Sequence, residues 1–291
     1  MPELDGTIPR YDPIFDAELV RRALAEDIGR GDVTTEATIP AGTSASGRIV
    51  ARESGVIAGL PLVALVFQSL DPAIHIERRA HDGARVEAGA ALVALAGEAR
   101  AILTGERTAL NFLGRLSGIA TLAARCQAAV AGTHARIVDT RKTTPGLRTL
   151  EKYAVRMGGA SNHRAGLDDG ILIKDNHIAA SGGLAAAVAR ARQHAPHLLK
   201  IEVECDTDEQ VGEALDAGAD AILLDNMPLD RMRAAVALIR QRAPRTLIEA
   251  SGGIGTDPTK LAAIAATGVD LISLGALTHS APNLDVSLEF D

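Results

Sequence analysis

Tryptophan is absent from the 291 residues, and aromatic residues make up only 2% of them. A chain so poor in rings lacks the platforms on which nucleic-acid bases stack and the girdle that marks a membrane interface. Cysteine is nearly absent too. Cys126 and Cys205 stand alone, which excludes a disulfide framework or a zinc site and fits a reducing, cytoplasmic compartment. Lysine is scarce: of 30 basic residues only five are lysine, and none falls in the first 141 positions. No apolar run approaches the roughly 18 residues of a membrane span. The opening MPELDGTIPR has neither the basic start nor the apolar core of a signal peptide. Basic charge does not dominate either: the formal net charge is −7 and the isoelectric point about 5.6. That balance disfavours a nucleic-acid partner.

What is present is ordinary globular material, 47% apolar and 23% charged. The length predicts two domains, placed at 1–115 and 116–279, with a tail from about 280 to 291 that returns to the first. Leu19, Val20, Ala23 and Leu24 recur at helical spacing over 16–27, after a candidate cap at Asp16. From about 44 to 96 the pattern shifts to short β-like runs (GRIVAR, IHIERRA, ALVALAG) cut by glycines, with one helix opening at Pro61. The stretch DGARVEAGAALVALAG resembles the sheet of lipoyl and biotinyl carrier domains. Such a carrier needs a lysine at its hairpin tip, and this half has none. Residues 98–130, free of proline, read as one long helix or two in sequence.

After 135 the pattern alternates strand and helix. Strand candidates are 136–139, 171–173, 200–204, 221–224, 246–250 and 270–274; helix candidates are 147–158, 183–194, 207–217, 229–242 and 258–267. Such alternation builds a parallel sheet wrapped by helices. The units fill far less than the roughly 250 residues of a complete eightfold barrel. The expectation is an α/β fold with an incomplete, open α/β barrel of about six strands. The alternating tail LDVSLEF reads as a further strand.

Polar residues collect where these strands end: Asp139-Thr140-Arg141-Lys142, Lys174-Asp175-Asn176-His177, Glu204, Asp225-Asn226, Ser251-Gly252-Gly253 and Gly275-Ala276-Leu277-Thr278-His279. In a parallel barrel those ends share one mouth. The SGG and Gly275 turns read as a cradle whose backbone N–H groups hold a phosphate, or as plain tight turns. Between 141 and 176, seven Arg and Lys residues meet four Asp and Glu residues, with His163 in addition. Arg148, Glu151, Lys152 and Arg156 fall at helical spacings and read as a solvated face. Arg141, Lys142 and Lys174 sit at strand ends and suit a multiply charged anion. Glu202 and Glu204 share a strand face, Glu204 nearer the mouth. With Asp225, Glu204 gives a carboxylate pair suited to Mg²⁺ on substrate phosphates, to a developing positive charge, or to structural ion pairs.

At these residues the sequence resembles the decarboxylating quinolinate phosphoribosyltransferase family. The matching stretches include EDIGRGDVTT, GERTALNFLGRLSGIAT, DTRKTTPGLR, EKYAVRMGGASNHRAGL, LIKDNH, EVE, LLDN, SGG and GALTHS. The resemblance implies an N-terminal α/β sandwich, a partial α/β barrel, and a homodimer or higher assembly of dimers. It implies transfer of the phosphoribosyl group of phosphoribosyl pyrophosphate to quinolinate with loss of CO2, giving nicotinate mononucleotide for NAD synthesis. Quinolinate would be held by Arg107 of the partner subunit with Arg141, His163, Arg164 and Lys174, and Thr140 would be a further substrate-binding residue. Lys142, Lys174, Glu204 and Asp225 would serve catalysis at phosphoribosyl pyrophosphate, with Mg²⁺ near Glu204 and Asp225 through water or substrate. Ser251, Gly252, Gly253, Leu274, Gly275 and Ala276 would take the 5-phosphate. Two rivals remain: a barrel lyase with Lys174 as Schiff-base amine, and a related scaffold associated with molybdenum transport.

Overall fold

The computed structural model describes residues 13–291, with side chains from residue 17. The expectation about the N-terminal signal segment therefore lies outside the described residues. The chain divides into two compact units, one running up to Thr121 and including Pro282–Asp291, the other Leu122–Ala281.

The first unit opens with α1 (Pro13–Ile28) and α2 (Val33–Thr38). Helix α1 starts before Asp16, so that residue lies inside the helix rather than at its cap. The Asp32 carboxylate accepts the Thr35 N–H (3.0 Å) and starts α2, an element that apolar periodicity did not reveal. Next come β1 (Ser44–Ala51), β2 (Gly55–Val56), α3 (Leu60–Leu70), β3 (His75–Arg78), β4 (Arg85–Val86) and β5 (Ala91–Glu98). Helix α3 has Pro61 in its first turn, and Asp82 accepts the Gly59 and Leu60 N–H groups at its start (2.9 and 3.1 Å). Leu60, Leu62, Val63, Val66 and Phe67 of α3 are buried. Helix α4 (Ala99–Ala129) is one continuous helix.

The second unit alternates strand and helix, with two helices between β7 and β8: β6 (Arg136–Val138), α5 (Arg148–Met157), β7 (Ile171–Ile173), α6 (Asp175–Ser181), α7 (Leu184–His194), β8 (Ile201–Cys205), α8 (Asp208–Asp216), β9 (Ala221–Asp225), α9 (Leu229–Arg242), β10 (Leu247–Ser251), α10 (Pro258–Ala265), β11 (Leu271–Ser273) and α11 (Ala276–His279). Its six strands are all parallel and lie in the order β6-β11-β10-β9-β8-β7. The sheet is open between β6 and β7, so the barrel is not closed. Helices start where the chemistry allows: Thr207 and Gln210 form a reciprocal capping box at α8, and Asp257 with Pro258 opens α10.

The final strand, β12 (Val286–Phe290), pairs antiparallel with β1, giving the first unit a four-stranded sheet ordered β12-β1-β5-β3. Close approach makes this return possible. A Cβ on Gly118 would lie 1.9 Å from the Pro282 carbonyl oxygen, and Leu284 N–H donates to Gly114 O (2.9 Å).

Register decides which side chains the barrel strands share. Glu204 on β8 lies level with Leu223 on β9, and Leu223 with Glu249 on β10. One pleat further on, Asp225 lies level with Ser251. A strand repeats every second residue, so Glu202 and Glu204, Leu223 and Asp225, and Glu249 and Ser251 occupy the same face of the sheet. The opposite face is apolar: Val203, Ile222, Leu224, Ile248 and Ala250 are buried.

Candidate active site

A cavity of about 880 Å³ opens at the C-terminal ends of these strands. Thr140, Arg141 and Lys142 enter it after β6, and His163 and Arg164 from the loop after α5. Lys174 follows β7; Glu204 and Asp225 end β8 and β9. Ser251, Gly252 and Gly253 close β10, and Leu274, Gly275 and Ala276 follow β11. Every site residue expected in this unit thus lines one cavity. Arg107 does not: it lies exposed on α4 in the first unit.

Helix α5 corrects one expectation. Arg148, Glu151, Lys152 and Arg156 do not form a solvated face: Glu151 and Lys152 are buried and the two arginines are half-buried. The reason is local hydrogen bonding. Glu151 accepts from Thr144 N–H (3.0 Å) and Thr144 Oγ1 (2.8 Å), fixing the turn before the helix. Arg148 donates to Thr143 Oγ1 and to the carbonyls of Ala165 and Arg141. Lys152 donates to the Asp139 carboxylate and to His163 O (2.9 Å). Charge at helical spacing reports which residues share a face, not whether that face meets water.

Asp139 is the anchor beneath the cavity. Fully buried, it accepts from Lys152, from Asn162 Nδ2 (2.5 Å) and from His163 N–H (2.9 Å). Burial pushes its carboxyl pKa up; the lysine and the hydrogen bonds pull the other way. The arrangement ties the end of β6, α5 and the loop carrying His163 and Arg164 into one body.

The His163 ring is held from two strands. Its Nε2 lies 3.2 Å from Glu202 Oε2 and 3.4 Å from Glu249 Oε2, and Arg164 N–H donates to its Nδ1 (2.7 Å). Burial works against the charged ring. Each carboxylate favours it by roughly 4 kcal/mol at an effective dielectric near 20, against about 1 kcal/mol for an amide hydrogen bond on Nδ1. The carboxylates prevail and push the ring's pKa up to about 10. Glu202, buried and beside Glu249, has its own pKa raised. Among the described residues His163, Glu202 and Glu249 form the one group with metal-ligand spacing, their ligand atoms within 4.8 Å of one another. The two carboxylates at this spacing favour the charged form of the ring that stands between them.

Around them stand the cations of the cavity. Arg164 donates to Gly170 O (3.0 Å); burial and the neighbouring Arg141 lower its pKa, while Glu202 and Asp169 support its charge. Lys174 donates to Glu204 Oε2 (2.6 Å). Lys142 is exposed, with its carbonyl accepting from Thr278 Oγ1 (2.8 Å) and its side chain close to Gly275. Glu204 and Asp225 are the half-buried carboxylates lining the cavity, hard oxygen donors on adjacent strands. Gly252 (φ 85°) and Gly253 (φ 55°) take left-handed backbone in the SGG turn, which glycine adopts without the cost other residues meet.

Glu249, Asn226 and His279 also line the cavity, and none carried an assignment from the sequence. Glu249 was legible by period two from Ser251, but it sits in an otherwise apolar run. Asn226 and His279 stood within the polar strand ends without a distinguishing feature. The two thiols play no part: Cys126 and Cys205 are buried, and burial pushes their pKa up to about 11 and about 12. Lys174, the amine of the lyase alternative, is ion-paired.

The profile described as quinolinate phosphoribosyl transferase, C-terminal domain, matches residues 119–289, and that of the N-terminal domain matches residues 32–117. A protein named probable nicotinate-nucleotide pyrophosphorylase (carboxylating) from Synechocystis sp. is 50% identical over 266 residues, 91% of this chain and 89% of that one. A nicotinate-nucleotide pyrophosphorylase (carboxylating) from Mycobacterium leprae is 47% identical over 280 residues, 94% of this chain and 98% of its own length. The solved structure of the nicotinate-nucleotide pyrophosphorylase from Francisella tularensis superposes with a TM-score of 0.91 at 38% identity, covering 97% of this chain and 98% of that one. Two profiles in tandem and relatives matched over nearly their whole length place this chain in the quinolinate phosphoribosyltransferase family.

Proposed function

We propose that this protein transfers the phosphoribosyl group of phosphoribosyl pyrophosphate to quinolinate, with loss of CO2, forming nicotinate mononucleotide and pyrophosphate on the route to NAD. The observation that carries this reading is one cavity that joins a group of cations (Arg141, Arg164, Lys174) to two glycine turns through the carboxylates Glu204 and Asp225. A dianionic pyridine dicarboxylate suits the cations. The turns at Ser251–Gly253 and Gly275–Ala276 suit the 5-phosphate, with Leu274 behind them. Thr140 and His163 border the dicarboxylate end.

Each residue type has a task in such a transfer. Lys142 and Lys174 neutralise charge on the departing pyrophosphate. The ribosyl carbon becomes positive as that group leaves, and the fixed carboxylates of Glu204 and Asp225 stabilise it. Their oxygens also suit Mg²⁺ on substrate phosphates; two carboxylates leave most of its shell to water and substrate, as this ion prefers. Bound there, Mg²⁺ offsets phosphate charge. Attack by the ring nitrogen yields a pyridinium, whose positive charge stabilises the electron pair left on C2 when the 2-carboxylate departs as CO2; a proton from solvent then takes that position. No protein nucleophile is required.

A homodimer belongs to the same reading, with Arg107 of the partner subunit completing the dicarboxylate site; the support is that Arg107 is exposed and lies outside the unit that forms the cavity. A cytoplasmic setting rests on the two free thiols. The test is a substrate panel: phosphoribosyl pyrophosphate and Mg²⁺ with quinolinate, nicotinate or nicotinamide. CO2 and nicotinate mononucleotide from quinolinate alone are expected. Product from nicotinate without CO2, or no product from any, would overturn the proposal.

A further inference from the structure

Asn226 is the one residue other than glycine with positive φ (53°) among the described residues. Asparagine tolerates this left-handed geometry better than most residues, yet it is still a strained choice, of the kind that gathers at functional sites. It directly follows Asp225, the last residue of β9. Met227 then returns to the interior, while Asp225 and Asn226 stay at the cavity.

Three contacts leave Asn226 little freedom. Its N–H donates to Ser251 O (3.0 Å). Its Nδ2 donates to Asp225 Oδ2 (2.5 Å). Its side chain lies over Gly252, where an added Cβ would fall 2.4 Å from Oδ1 and 2.7 Å from the Asn226 nitrogen. The side chain is exposed to the cavity, so core packing does not account for it. One amide therefore touches the carboxylate on one side and the glycine turn on the other. Its donor occupies Oδ2 of Asp225, a residue that lines the cavity.

We propose that Asn226 is a positioning residue that holds the Asp225 carboxylate in register with the Ser251–Gly253 turn, so that the metal-bearing and phosphate-bearing parts of phosphoribosyl pyrophosphate meet a fixed frame. The inference rests on the reading of the cavity given above. It assigns Asn226 no contact with the reacting atoms.

Two variants separate its backbone from its amide. Asn226→Gly keeps the left-handed turn and removes the amide; Asn226→Ala removes the amide and strains the turn. Melting temperature, the KM for each substrate, and binding of Mn²⁺ and of phosphoribosyl pyrophosphate by calorimetry are measured on the full chain. Both variants are expected to raise the KM for phosphoribosyl pyrophosphate on the order of tenfold, the worth of one hydrogen bond to a charged group. Mn²⁺ binding in the presence of that substrate should weaken in parallel, and the KM for quinolinate should stay within about twofold. Only Asn226→Ala should lose thermal stability. Wild-type kinetics and Mn²⁺ binding in Asn226→Gly would overturn the inference and assign the residue a turn-forming role alone. Failure of the unaltered protein to bind phosphoribosyl pyrophosphate would instead overturn the reading of the cavity.

Discussion

The Lys152 ammonium donates to the Asp139 carboxylate in a pair whose side chains are 5% and 0% exposed. Breaking such a pair strands a charge where water cannot solvate it, at a cost of about 3 kcal/mol or more. Asp139 also accepts from Asn162 and His163, so its loss releases the loop that carries Arg164 into the cavity. Asp139→Asn is therefore expected to lower unfolding free energy by about 3 kcal/mol in urea titrations. Lys152→Met should do the same. The double variant should lose less than the sum of the two, because the stranded charges are removed together; strict additivity would deny the coupling.

The pair also shows what a sequence displays and what it hides. The strand-helix alternation was legible because short apolar runs and helical periods are local properties, and all six barrel strands lie within a residue or two of their expected places. Helices α2, α6 and α11 were not. They are short, and side-chain or turn geometry starts them rather than an apolar stripe. The strand-end positions of Arg141, Lys174, Glu204 and Asp225 were legible because a parallel barrel converges its C-terminal ends. Burial of Lys152 was not, because its partner lies thirteen positions earlier, just past the end of β6. Asn226 was invisible for a different reason: its role depends on a backbone angle.

His163 makes stability depend on pH in a defined direction. Its folded pKa is raised from 6.5 to about 10 by Glu202 on β8 and Glu249 on β10, while burial and the Arg164 N–H oppose. A raised basic pKa means the folded state holds the proton more tightly than the unfolded chain. The resulting stabilisation is complete below about pH 6.5, shrinks as pH rises, and is lost above about pH 10. Unfolding free energy measured from pH 6 to 10 should fall more steeply in the native protein than in His163→Gln. Parallel slopes would show that the ring does not carry this dependence.

Burial and the neighbouring Arg141 disfavour the charge of Arg164, an arrangement that a bound dianion relieves. Arg164→Ala should raise the KM for quinolinate about 100-fold, the worth of 2 to 3 kcal/mol for a charge-assisted contact. The KM for phosphoribosyl pyrophosphate should change much less. Steady-state kinetics with each substrate varied in turn check this, and an equal rise in both would place the arginine elsewhere in the reaction.

Gly252 has no room for a side chain: its φ is 85° and a Cβ would meet Asn226. Gly252→Ala should distort the turn and weaken phosphoribosyl pyrophosphate binding by about tenfold or more, since strain of this kind costs of order 1–3 kcal/mol. Isothermal calorimetry with that substrate alone, free of turnover, gives the answer. Unchanged affinity would remove the turn from the phosphate site.

Arg107 lies exposed on α4 in the first unit, whereas the cavity belongs wholly to the second. If it serves a partner's cavity, two inactive variants should rescue each other. Arg107→Ala and Lys174→Ala, each expected to lose most activity alone, are mixed after mild unfolding and reassembled. Random pairing makes half the dimers mixed, and in each of these one site draws both lesions while the other draws neither. Recovery of about a quarter of native activity follows from the two-fold symmetry of a dimer. An arginine acting within its own subunit gives a different result, because each site of a mixed dimer then carries one lesion. The mixture would stay as inactive as its components, and the shared site would be lost from the account while the cavity chemistry stood.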